Sequence, residues 1–263
     1  MLFDSLTHIT RDGSWMGETQ YDASLERLIR EMDVADTKRA CLVAIADHGD
    51  NDVTMSAAQA HPDRFVPIAG MNPRTLPTLR RVEAVVSELA GKGFAGIKLH
   101  PRLNGYDPLD AKCVAVLEAA AEHGLVILLD TLFRRRGLAT SNAPDTIDYL
   151  ASACPDTRIL LLHAAGPSML DLFEIVRANP NLMLDFSFSI MRYAGSRLDE
   201  DMRYFFQTTD QLVTIGSDFP EYSPRQIMER FKELSAGIES YRIENILHGN
   251  LTRLFSDYKV PQK

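Results

Sequence analysis

The sequence predicts an α/β fold, a single parallel (β/α)8 TIM barrel. Three observations carry the prediction. Eight short apolar runs alternate with segments of helical period from one end of the chain to the other. The runs are continuous rather than alternating in polarity, as expected of parallel strands buried on both faces. Nearly every run closes on a polar or titratable residue, which in a barrel puts those residues on one rim. The 263 residues fit one barrel-sized domain, taken here as 1–263. No Gly-x-Gly-x-x-Gly follows the first run and no Walker loop is present, so a doubly wound nucleotide-binding sheet is disfavoured.

The first strand is Leu2 to His8, ending in a histidine. Leu25, Leu28, Ile29 and Met32 then recur at helical spacing over Ser24 to Met32. Arg39 to Ile45 is the second strand, closing on Asp47-His48-Gly49-Asp50, and Asn51 to Ala60 the helix after it. Phe65 to Ala69 is the third strand, and Leu79, Val82, Val85, Val86 and Leu89 mark the next helix, stopped by Gly91 and Gly93. The fourth strand, Ala95 to Leu99, is stopped by Pro101. Strand side chains alternate, so Lys98 and His100 leave it on the same face. A helix over Asp110 to Glu122, a fifth strand over Val126 to Leu129 and a helix over Asp145 to Ala153 follow. Arg158 to Leu162 is the sixth strand, with a helix from Pro167 to about Ala178. Leu182 to Leu184 is the seventh strand, then a helix over Asp199 to Phe206. Leu212 to Ile215 is the eighth, with helices at Pro224 to Leu234 and Ile243 to Phe255.

The formal net charge of −8 argues against nucleic acid or an anionic membrane as partner. Cys41, Cys113 and Cys154 are scattered, as reduced core thiols are, and show neither a disulfide frame nor a zinc-knuckle spacing. No apolar run is long enough to span a bilayer and the first residues lack a basic-then-apolar leader, so a cytoplasmic location is expected. Basic residues cluster at Arg134, Arg135 and Arg136, directly after the fifth strand. Such a run is either a solvated loop or, at a barrel mouth with Lys98, an anchor for carboxylate or phosphate. The second reading predicts an acidic small-molecule substrate.

The strand ends collect His8, Asp47 with His48, Asn72, Lys98 with His100, Asp130, His163, Asp185 and Asp218. Each residue alone has an ordinary structural explanation; their convergence on one mouth calls for a shared one. Imidazole and carboxylate ligate zinc, and a zinc with an open position makes hydroxide available at neutral pH. A neighbouring aspartate can take the proton.

In Asp4-x-x-x-His8, Gly93 to Pro101 with Gly105-Tyr106, Ile159 to His163 with Gly166, Gly216-Ser217-Asp218-Phe219-Pro220, and Ile246-Leu247-x-Gly249-Asn250, the chain resembles the amidohydrolase-2 branch of the metal-dependent hydrolases. That branch includes aminocarboxymuconate-semialdehyde decarboxylase-like and dicarboxylate lactonase-like enzymes. The resemblance implies a hydrolase acting on a small, carboxylated lactone, ester or amide, with Asp218 as general base and His163 and Lys98 as its catalytic partners. A decarboxylase of the same branch, or a barrel that binds without catalysing, is the alternative. The family's first strand ends in Asp-x-His-x-His, where this chain has Leu6 and His8; its fifth strand ends in histidine, where this chain has Asp130. Three outcomes stay open: a rebuilt zinc or manganese site on His8, Asp130, His163 and Asp218, a metal-independent hydrolase, or a retired site. His100, Arg134, Arg135, Arg136 and Asp185 are the expected substrate-binding residues. A lysine such as Lys98 carries a metal-bridging carbamate in other amidohydrolases, but the paired first-strand histidines of that design are absent, so a binuclear centre is not expected. The resemblance also implies a homodimer through the outer helices.

Overall fold

The computed structural model of the chain describes residues 1–133 and 143–258. Eight parallel strands stand in sequence order: β1 Leu2–Thr7, β2 Thr37–Val43, β3 Phe65–Gly70, β4 Gly96–Leu99, β5 Val126–Asp130, β6 Ile159–Leu162, β7 Leu182–Asp185 and β8 Val213–Thr214. β8 returns to β1 through Ser5 N–H to Ile215 O (3.3 Å), Asp218 N–H to Leu6 O (2.9 Å) and His8 N–H to Phe219 O (2.9 Å). The expected (β/α)8 barrel is the fold. Among the described residues no helix is long and apolar enough to cross a membrane.

Alternation along each strand separates two cores. On β4 and β5, Ile97, Leu99, Ile127 and Leu129 pack outward with Val82 and Val86 of the helix Leu79–Gly91 and Val116 and Leu117 of the helix Ala111–Glu122. Val126, Leu128, Leu160 and Leu162 fill the opposite, inward layer with Phe3, Val43 and Ile68. Continuing the inward register one step past Leu128 gives Asp130, and past Gly96 gives Lys98 and His100. Four crossover helices begin on side-chain caps, with Ser24, Asp50, Thr78 and Asp110 each accepting from a first-turn N–H.

Two differences from expectation lie directly after strands β6 and β4. The helix read over Pro167 to Ala178 is a run of 3-10 turns over His163–Leu172, followed by an α-helix only over Phe173–Ala178. His163, Ala164 and Ala165 have φ of 64°, 46° and 56°, and this left-handed passage turns the chain sharply off β6 before a helix can form. Pro101 does stop β4, and it also begins a four-residue helix, Pro101–Asn104, that carries Arg102 to the mouth.

Candidate active site

The C-terminal ends of the strands open into a cavity of about 420 Å3. Its polar lining is His8, Lys98, His100, Arg102, Asp130, His163, Asp218 and Glu221, and its apolar lining includes Trp15, Leu132 and Phe188. The volume lies in the range of small-molecule sites.

Two clusters organise the polar wall. On one side His8 Nδ1 donates to Val43 O (2.6 Å), which leaves Nε2 facing Asp218 Oδ1 at 3.3 Å. The His8 ring stacks on Trp15. On the other side His163 Nδ1 donates to Ser187 O (2.9 Å), and its Nε2 meets Asp130 Oδ2 at 3.2 Å. His100 Nε2 approaches the same oxygen at 3.4 Å, and Arg102 lies at 3.9 Å. Asp130 is wholly buried, while the Asp218 side chain keeps 14% of its surface exposed.

Burial sets the charges in competition with these partners. For Asp130, burial pushes the carboxyl up, but the facing imidazoles of His100 and His163 and the Lys98 ammonium outweigh it and hold the group below the usual carboxylate range. For His163, burial opposes the charge, yet the hydrogen bond and charge of Asp130, with Asp218 beyond, raise the imidazole above its usual value. His100 has no such excess: burial takes it down to about 3, so it is neutral. Burial would also raise Asp218, but the His8 hydrogen bond and the charge of His163 bring it below the ordinary value. The mouth therefore holds two ionised carboxylates, a His163 shifted towards its cationic form and a neutral His100 together. Lys98 is 2% exposed, and burial lowers its amine.

The backbone holds two of these groups in the left-handed region. His163 has φ 64° and Asp218 φ 55°, conformations that β-strand residues avoid. Such strain at strand ends belongs with positions whose side chains are aimed for a task.

Of the expected residues, His8, Lys98, His100, Asp130, His163 and Asp218 come together on the cavity. Asp185 does not. It is fully buried inside the barrel, where it accepts from Ser5 Oγ and Ser187 Oγ, and it supports His163 through Ser187 instead of lining the mouth. Asp47 and Asn72 form a separate rim cluster with Asn104, whose amide donates to Asp47 Oδ2 at 3.0 Å. Arg134, Arg135 and Arg136 lie outside the described residues. Sequence reasoning missed Arg102, Glu221, Trp15 and Phe188. The first two sit just beyond a strand end, Arg102 in a four-residue helix and Glu221 in a turn, where no period marks them; their place one and three residues after Pro101 and Asp218 was the available signal.

The donors suit zinc or manganese in kind, since each of His8 and His163 fixes Nδ1 on a carbonyl and offers Nε2. Their arrangement does not suit a metal. The expected four-ligand set His8, Asp130, His163 and Asp218 is divided into two imidazole–carboxylate clusters, and among the described residues no group of three or more His, Cys, Asp or Glu is placed to hold a metal ion.

Solved structures share the architecture. An uncharacterised TIM-barrel protein from Bordetella bronchiseptica superposes with a TM-score of 0.81 at 19% identity, covering 97% of this chain and 98% of its own. A probable 2-pyrone-4,6-dicarboxylic acid hydrolase from Acinetobacter baumannii, solved with citric acid, gives 0.70 at 17% identity, over 97% and 99%. A 5-carboxyvanillate decarboxylase from Sphingomonas paucimobilis gives 0.71 at 16%, over 97% and 98%. At these identities the likeness is one of fold. No curated protein matches the chain in sequence. The sequence profile of the amidohydrolase family Amidohydro_2 matches residues 13–255, nearly the whole barrel and all but His8 of the polar wall, and the chain belongs to that family.

Proposed function

We propose that the protein hydrolyses a small carboxylated lactone, ester or amide, without a metal, using Asp218 as general base. One observation carries the reading: an ionised Asp218 and a His163 paired to Asp130 and shifted towards its cationic form line the same cavity on opposite clusters. Asp218 takes a proton from water and the water oxygen attacks the substrate carbonyl; the tetrahedral carbon then collapses, the C–O or C–N bond to the leaving group breaks, and that group takes the proton held by Asp218. His163, held as an imidazolium by Asp130, faces the negative charge that develops on the carbonyl oxygen, and Lys98 adds positive potential beside it. Arg102 at the mouth suits a substrate carboxylate, and Arg134 to Arg136, following β5, are assigned to the same task.

A panel of carboxylated lactones and phenyl esters, beginning with 2-pyrone-4,6-dicarboxylate, tests the reading with acid release as the signal. Asp218→Asn should lower kcat by about 10²–10⁴-fold with KM little changed. Chelation should leave the wild-type rate intact. A rate that depends on added zinc or manganese, or one that Asp218→Asn leaves alone, overturns it. Release of carbon dioxide in place of acid would move the chain to the decarboxylases.

A further inference from the structure

Lys98 stands apart from the rest of the polar wall. It lies in the cavity lining and is almost wholly buried, yet among the described residues its Nζ makes no hydrogen bond and no close ion pair. The acids near enough to influence it are Asp130, Asp218 and Asp185. Each is engaged elsewhere: Asp130 by His163 and His100, Asp218 by His8, and Asp185 by Ser5 and Ser187. A lysine that only balanced charge would sit against one of them. This one presents its Nζ to a ligand-sized space, and burial eases loss of the ammonium proton, after which lysine is a nucleophile toward carbonyl carbon.

We propose that Lys98 forms an imine with a small 2-oxo acid that enters the mouth cavity. The amine nitrogen attacks the keto carbon, a C–N bond forms, and the C=O π electrons pass to oxygen. The carbinolamine then loses that oxygen with the two amine protons as water, leaving C=N to Lys98. The acid's carboxylate is matched by cations on the same wall, Arg102 at the rim and His163 within. The proposal is independent of the hydrolytic reading, because trapping an imine requires no turnover.

The experiment is reductive trapping. The intact protein is incubated with pyruvate, 2-oxoglutarate or acetone and cyanoborohydride at neutral pH, then digested and followed by peptide mass spectrometry. The exposed lysines Lys38, Lys92 and Lys232 serve as internal standards. Lys98 should be alkylated by at least one of the 2-oxo acids about tenfold faster than those standards, and the preference should vanish in urea. Acetone, which lacks the carboxylate, should modify Lys98 about tenfold more slowly than that acid. Lys98 labelled no faster than the surface lysines overturns the proposal, and equal labelling by acetone overturns its choice of a 2-oxo acid. The readout is internal to the wild-type protein, so no variant has to fold for either result.

Discussion

At His163 one hydrogen bond and one ion pair decide the charge of an imidazole. The Ser187 carbonyl takes Nδ1–H, so Nε2 can meet the Asp130 carboxylate favourably only when it too carries a proton. The consequence is a pH dependence with a definite sign. His163 is raised in the folded state, so its contribution is complete below the unfolded value of about 6.5 and is lost as pH rises through the folded value. Asp130 is lowered, so its share is present above about 3.9 and is lost only as the medium becomes strongly acidic. His100, lowered to about 3, works in the opposite sense, costing stability as pH falls below about 6.5. Comparing wild type with His163→Gln cancels that part. The difference in urea midpoint between the two proteins should be largest near pH 6 and shrink towards pH 9. A difference that stays constant over that range would show that His163 is not held charged.

At the scale of the element, β4 is the strand on which the mouth depends, and its most constrained position has no side chain. A Cβ on Gly96 would fall against the Val126 carbonyl of β5, with Ile68 Cδ1 at 3.2 Å on the other side. The carbonyl cannot retreat, because Val126 N–H is itself bonded to Ala95 O (3.1 Å) in the same ladder. Gly96→Ala should therefore cost about 2–3 kcal/mol in urea denaturation. It should also slow reductive trapping at Lys98, which stands two residues further along the same face. A loss under about 0.5 kcal/mol would mean that the two strands can part without penalty. The strand itself was legible in the sequence, because a buried parallel strand is a continuous apolar run and its period of two assigns Lys98 and His100 to one side. What lies beyond a strand end was not. Arg102 is placed by a four-residue helix and Glu221 by a turn, 3-10 turns after β6 replace half of an expected helix, and Asp185 keeps the register of a mouth residue while sitting too deep to reach it. Alternation reports which way a side chain points, but depth along the barrel axis depends on stagger between strands, which one strand does not encode.

For the whole molecule the decisive place is the seam where the last strand meets the first. β8 has only two residues, and the closing bonds are made beyond it, with Asp4 at their centre. Asp4 Oδ1 accepts from Ser217 N–H (2.8 Å) and Leu6 N–H (3.1 Å), while Oδ2 is buried without a partner among the described residues. Gly216 leaves the space this needs, since a Cβ there would strike Ser5 and come within 2.8 Å of Asp4 Oδ1. Burial pushes the Asp4 carboxyl up to about 7, against the pull of its Ser217 and Leu6 hydrogen bonds. The folded chain therefore holds a proton at Asp4 that the unfolded chain releases from about pH 4 upward, so the seam weakens as pH rises from about 4 to 7 and stays constant above that. Asp4→Asn keeps an oxygen acceptor for both N–H groups and removes the titration. Relative to wild type, the variant should gain about 3 kcal/mol between pH 4.5 and pH 8, read from paired urea curves. If the two curves run parallel, Asp4 carries its charge in the folded barrel, and the seam is closed by an ionised carboxylate on two backbone donors instead of by a protonated one.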